Sequence, residues 1–136
     1  MTETPKKLLY RYSFPIRWSD MDALGHVNNS RYFTFMEQAR IEWLDSLGMK
    51  LEGEEGPVLV KAECNYLLPI VYPATITVDT YVGKTGRSSV PFIHEIYDSQ
   101  QPTKIYAQGH VVMVWVNYHM GKSLPLPDLW RQHFDA

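Results

Sequence analysis

The sequence contains a single cysteine, Cys64, so no internal disulfide can form, and this fits a reducing compartment. We interpret Cys64 as a packed core residue, because no neighbouring feature marks it as a reactive thiol. No stretch approaches the ~18 apolar residues of a membrane span, and residues 1–14 lack an apolar core of signal-peptide length. We therefore expect a cytoplasmic protein with no membrane partner.

The sequence also lacks an excess of charge of either sign. The formal net charge is −2, and no run of Lys or Arg is longer than the Lys6–Lys7 pair. Nucleic acid is therefore not an expected partner. What the chain does have is 45% hydrophobic and 13% aromatic residues, a composition that argues against disorder. A chain of 136 residues predicts one domain, spanning 1–136.

Extended segments dominate the pattern. An aromatic-rich, loosely alternating run predicts a first strand over Leu8–Trp18, in which Pro15 indicates a sheet edge or a bulge. A polar, flexible link is expected over residues 49–56, and a single capped turn after Pro127. Four further strands are predicted: Val58–Leu68, Thr75–Gly83, Ser88–Tyr97 and Ile105–Asn117.

One helix interrupts the strands. The helix is predicted from apolar residues at helical spacing, and its start is expected between Val27 and Ser30. Gly48 is expected to end the helix in the left-handed (positive φ) conformation. Glu37 and Arg40, three residues apart, are expected to form an ion pair. The apolar residues form a stripe, which consists of Tyr32, Met36, Ala39, Trp43 and Leu47. One strand, one helix and four strands predict an α+β fold with a single antiparallel sheet, whose open face a second copy of the chain would cover.

The turn before the helix carries the chemistry-bearing side chains Asp20, Asp22 and His26. A loop acid close to a helix start can attack a carbonyl or activate water, while free helix N–H groups stabilise the resulting oxyanion. From the residues alone, Asp22 has two interpretations, a catalytic acid or an Asx-turn residue, and Asp20 is read as a hydrogen-bond acceptor. No further acidic cluster supports a divalent metal here, so neither metal nor cofactor is predicted.

Residues 17–43, RWSDMDALGHVNNSRYFTFMEQARIEW, resemble a pattern of D-x-D-x-x-G-H-V-N-N-x-x-Y followed by E-x-A-R-x-x-W. This is similar to the 4-hydroxybenzoyl-CoA thioesterase-like family of acyl-CoA thioesterases. Residues 60–69, 82–89 and 119–127 look like that family's second strand and bend, its hairpin and its C-terminal turn. The resemblance implies a hot-dog fold, an antiparallel sheet of about five strands wrapped around one long helix. Pro91 departs from it, since the family usually has an unbroken strand there.

The function that the resemblance implies is hydrolysis of an acyl-CoA or acyl-carrier-protein thioester to free acid and thiol. The GHVNN form looks more like the fatty acyl enzymes than the aromatic ones, so a fatty acyl substrate is expected. The implied assembly is a homodimer or homotetramer with sites between subunits.

The resemblance also assigns roles to residues. Asp22 matches the family's nucleophile or general base, and the backbone N–H of Asn29 matches its oxyanion donor. Gly25 permits close approach, and His26 orients Asp22, binds substrate or holds the turn. Glu37 is the backup catalytic carboxylate, because some hot-dog thioesterases carry theirs on the helix. Substrate contacts are expected from Asn28, Tyr32, Lys84, Arg87, Ser88 and Ser89.

Two alternatives stay open. A hot-dog enoyl-CoA hydratase or dehydratase needs an Asp and a His acting together, and the spacing from Asp22 to His26 is one residue shorter than that pattern. A non-catalytic acyl-CoA-binding module is the other, against which the presence of the acid argues.

Overall fold

A six-stranded antiparallel sheet and two helices make up the computed structural model, which describes residues 6–135. Residues 1–5 and 136, which belong to the predicted domain, lie outside the described residues. The helices are α1 (Arg31–Ser46) and α2 (Asp128–Asp135). The strands are β1 (Lys7–Pro15), β2 (Glu55–Tyr66), β3 (Thr75–Val82), β4 (Ser89–Asp98), β5 (Ile105–Asn117) and β6 (Lys122–Ser123).

The strands follow the order β1-β3-β4-β5-β2, and the short β6 pairs with β5. α1 packs against β1, β3 and β5, which gives the predicted α+β architecture of one sheet around one long helix. Pro15 lies in β1 at a sheet edge, as predicted, while the apolar β5 lies between β4 and β2. No helix among residues 6–135 is long and apolar enough to cross a membrane.

Several predicted boundaries were wrong. The first strand ends at Pro15, three residues before Trp18, because the chain then enters a short 3-10 turn. β2 begins at Glu55, inside the predicted flexible link, since Glu55 pairs with Asn117 and accepts a 3.0 Å hydrogen bond from the Trp115 indole. The C-terminal turn is an eight-residue helix, α2, held by the burial of Trp130 and Phe134.

Pro91 does not interrupt β4. Its carbonyl accepts a 3.0 Å hydrogen bond from the N–H of Gly83, just beyond the last residue of β3. In an antiparallel ladder the N and C=O of one residue point to the same neighbour. The missing N–H of Pro91 therefore faces Gly83, beyond the end of β3, so only the return bond to the Gly83 carbonyl is lost and the pairing of Pro91 with Val112 of β5 is kept.

α1 begins at Arg31 with Ser30 as its N-cap residue, and Gly48 follows its end with the predicted positive φ of 69°. Its buried face consists of Tyr32, Phe35, Met36, Ala39, Arg40, Trp43 and Leu44. A methyl group at Gly109 would overlap the sulfur of Met36. The helix therefore lies close to the sheet because position 109 of β5 has no side chain.

The predicted Glu37–Arg40 ion pair was wrong. Arg40 is buried, and its Nη1 lies 3.1 Å from Nε2 of His94 on β4. A guanidinium has donors only, so Nε2 must accept, and the proton of the neutral ring lies on Nδ1, 3.0 Å from the Thr80 hydroxyl. Burial, and then the charge of Arg40, lowers the pKa of His94 to about 3. His94 is thus a neutral structural histidine.

Candidate functional site

The loop between β1 and α1 is a tight, anchored turn. Met21 and Val27 form an isolated antiparallel bridge, and the Asp22 N–H donates to the His26 carbonyl at 2.8 Å. Val27 is buried and its N–H reaches the carbonyl of Ile70 at 2.9 Å. Gly25 has a φ of 79°, a conformation that glycine adopts without strain. The loop is therefore fixed against the core before any ligand binds.

Asp20 holds the base of this loop. It is only 2% exposed, and its carboxylate accepts hydrogen bonds from the N–H and the guanidinium of Arg17, at 2.8 and 3.1 Å. Its carbonyl accepts the N–H of Asn28 at 3.0 Å. Asp20 thus acts as the hydrogen-bond acceptor that the sequence predicted.

Asp22 has a different environment. It is half-buried, and its Oδ1 accepts the N–H of Leu24 at 2.8 Å, which is an Asx turn. The other carboxylate oxygen, Oδ2, accepts no hydrogen bond from any residue in the range 6–135. The side chain therefore performs its turn role with one oxygen and keeps the second available for chemistry.

The N–H of Asn29 lies directly before the start of α1. Asn28 accepts three of its neighbours' donors: the N–H and hydroxyl of Ser30 on Oδ1, at 2.9 and 2.8 Å, and the N–H of Arg31 on its carbonyl, at 2.9 Å. The Asn29 N–H has no acceptor within the described part of the chain. An unpaired amide at the positive end of a sixteen-residue helix can stabilise a developing negative charge.

Asn29 lines a cavity of about 230 Å³. The cavity brings together three predicted site residues, His26, Asn29 and Tyr32, whereas Asp22, Gly25 and Asn28 belong to the same loop but do not line it. The remaining lining residues are Val27, Tyr66, Leu67, Leu68 and Pro69.

Tyr66 was missed by the sequence analysis. Its hydroxyl donates to the carbonyl of Asn29 at 2.8 Å. The strand period was a usable signal, because Tyr66 shares a face of β2 with Cys64, which packs against the helix-facing core.

The predicted CoA-contacting hairpin lies elsewhere. The β3–β4 hairpin carries Lys84, Arg87, Ser88 and Ser89, and it follows Val82, which clusters with Trp43 in the C-terminal half of α1. Val27 and Tyr32 cluster with Ile70 at the other end. These ends are about 24 Å apart, since sixteen helical residues rise about 1.5 Å each. One chain therefore does not bring the hairpin and the loop together.

Glu37 also lies apart from the loop. It is exposed and lines a second cavity, of about 190 Å³, together with Arg40, Trp43 and Leu44.

Within residues 6–135, no group of three or more His, Cys, Asp or Glu side chains is arranged to hold a metal ion. Cys64 is half-buried and packs against the hydrophobic core. Burial raises the pKa of its thiol.

Comparison with known proteins identifies the family. The model of the thioesterase-like superfamily matches residues 16–134. The chain belongs to this superfamily. It is a thioester hydrolase with the hot-dog fold, as predicted.

Individual relatives agree with this assignment. The solved structure of the PA2801 protein of Pseudomonas aeruginosa is 42% identical, with a TM-score of 0.89, over 93% of this chain and 98% of that one. The long-chain acyl-CoA thioesterase FadM of Escherichia coli is 24% identical over 124 residues, which are 88% of this chain and 92% of FadM. The SAV2348 protein of Staphylococcus aureus, solved in complex with CoA, has a TM-score of 0.83 over 99% of this chain and 86% of its own. At 14% identity it shows the fold alone.

Proposed function

We propose that this thioesterase hydrolyses acyl-CoA thioesters to the free acid and CoA, and that fatty acyl groups are its substrate class. The observation that carries the proposal is one anchored loop that holds both a carboxylate oxygen, on Asp22, and a backbone amide, on Asn29, neither of which has a hydrogen-bond partner among residues 6–135. The name of the relative FadM, a long-chain acyl-CoA thioesterase, supports the fatty acyl class.

In this mechanism Asp22 attacks the thioester carbonyl carbon directly or removes a proton from the water that does so. The carbonyl oxygen takes the displaced electron pair, and the Asn29 N–H at the start of α1 stabilises the negative charge. The carbonyl then re-forms, the C–S bond breaks, and the CoA thiolate leaves and takes up a proton. If Asp22 is the nucleophile, water hydrolyses the resulting anhydride in a second step. His26, whose carbonyl accepts the Asp22 N–H, supports the loop.

The test is Asp22→Asn, because asparagine retains the Oδ1 acceptor of the Asx turn and removes only the charged oxygen. We expect thiol release from acyl-CoA to fall by about 10³-fold or more, a magnitude typical of losing a catalytic group, with an unchanged melting temperature. The control is Asp98→Asn, since Asp98 also forms an Asx turn, to Gln100 at 2.7 Å, but at the end of β4, where its second oxygen accepts the Tyr106 hydroxyl. An Asp22→Asn enzyme as active as the Asp98→Asn control would refute the role of Asp22.

We further propose a homodimer, or a homotetramer built from it, with each site between two subunits. β2 is a sheet edge with exposed apolar residues such as Leu59 and Val60, and an unpaired edge of this kind can pair with a second strand. A second copy would supply the hairpin, which one chain holds at the opposite end of α1 from its own loop. In that assembly Lys84, Arg87, Ser88 and Ser89 would contact the phosphates and pantetheine arm of CoA.

A further inference from the structure

Tyr66 connects the edge strand to the loop that carries the proposed oxyanion donor. Its hydroxyl donates to the Asn29 carbonyl at 2.8 Å, and its ring meets that of Tyr32 edge-to-face, with centroids 4.8 Å apart. Tyr32 is 2% exposed and belongs to α1, so the Tyr66 side chain is held at both its ring and its hydroxyl. Burial raises the pKa of Tyr66, and the hydroxyl therefore remains a donor at neutral pH.

The other contacts of this segment hold its neighbours rather than Asn29 itself. Asn28 is bonded to Asp20 and to Ser30, and the N-cap residue Ser30 makes no side-chain cap. Asn29 precedes the helix, so its carbonyl lies outside the N-terminal turn of the helical ladder. Among side chains of the described residues, only that of Tyr66 is hydrogen-bonded to Asn29.

We infer that Tyr66 is a positioning residue for thioester hydrolysis, which fixes the Asn29 backbone so that its N–H points at the forming oxyanion. This inference rests on the proposed function. A donor of this kind acts only when it is aligned with the place where charge develops, and a displacement of about 1 Å can cost about 10² in rate. A bond to the carbonyl of the same residue restrains that alignment while leaving the N–H free.

The test is Tyr66→Phe, which removes the hydroxyl and retains the ring contact with Tyr32. We expect kcat to fall about tenfold, which corresponds to about 1.4 kcal/mol of transition-state stabilisation, with little change in KM. The fall should be the same for short and long acyl-CoA esters, because the carbonyl is common to all of them. The NMR order parameter of the Asn29 amide should fall, because the backbone at this residue loses a restraint.

The matched control is Tyr118→Phe. Tyr118 is also about half exposed, and its hydroxyl also contacts a backbone carbonyl, that of Pro57 at 3.4 Å, but away from the loop. Its kcat should equal that of the wild type. An unchanged kcat in Tyr66→Phe, a change confined to KM that varies with chain length, or loss of the fold would each overturn the inference.

The two proposals fail separately. An active Asp22→Asn enzyme refutes the acid of the proposed mechanism whatever Tyr66 does. An inactive Asp22→Asn enzyme combined with a fully active Tyr66→Phe enzyme refutes only the role of Tyr66.

Discussion

The buried Arg40–His94–Thr80 cluster predicts how stability depends on pH. The folded protein holds His94 neutral, with a pKa of about 3, whereas an unfolded histidine titrates near 6.5. Between these values the unfolded chain binds more protons than the folded one, so the free energy of unfolding must rise with pH across this window and fall on acidification. The groups that face the imidazole are the Arg40 guanidinium and the Thr80 hydroxyl, and Glu37 lies near Arg40.

The magnitude follows from the two pKa values. At pH 5 an unfolded histidine is almost wholly protonated, about 1.5 units below its pKa, while His94 remains neutral in the fold. At about 1.4 kcal/mol per unit, acidification from pH 7.5 to 5 should remove about 2 kcal/mol of stability through this residue alone. That is a measurable part of the stability of an ordinary domain.

Urea unfolding at several pH values, followed by tryptophan fluorescence, measures this effect. His94→Gln cannot titrate, yet its amide offers Arg40 an acceptor and Thr80 a donor. The substitution lowers stability at every pH, so the comparison uses only the slope. The variant should lose about 2 kcal/mol less than the wild type between pH 7.5 and 5, whereas His119→Gln, at an exposed position, should retain the wild-type slope. Equal slopes in His94→Gln and wild type would refute a neutral, buried His94.

Two further predictions concern the site and the assembly. Asn29→Pro removes the backbone N–H and should lower kcat by about 10²-fold or more, whereas Asn29→Ala retains the amide and should stay within a few-fold of wild type. Circular dichroism checks that both variants fold. A fully active proline variant would exclude this amide as the oxyanion donor. Light scattering of the purified protein should give the mass of at least two chains, and Val60→Lys on the β2 edge should lower both that mass and the activity. A fully active monomer would contradict a site shared between subunits.

Local pattern was enough to predict the order of the main elements. The helix stripe and its glycine stop lie within a few turns of chain, and the strands are marked by alternation and by turn residues. The turn before α1 is also a local feature, and the structure brings His26, Asn29 and Tyr32 beside one cavity. These features depend on neighbours in sequence.

Three of the misses involve partners that are distant in the chain. Arg40 was paired with Glu37, three residues away, although its partner is His94, 54 residues away in the core. β2 begins early because Glu55 bonds to Trp115, and Tyr66 reaches Asn29 across 37 residues. The spacing of residues along a helix or strand does not predict such contacts, because they form only when the sheet packs around the helix.

The contact between Gly109 and Met36 limits how this protein can change. Because the thioether occupies the space that a β-carbon at position 109 would need, any larger residue there requires the buried Met36 side chain to move or to be replaced by a smaller one. A library that changes the packing between α1 and β5 should therefore vary positions 36 and 109 together. Replacement of Gly109 alone would overpack the core and lower stability.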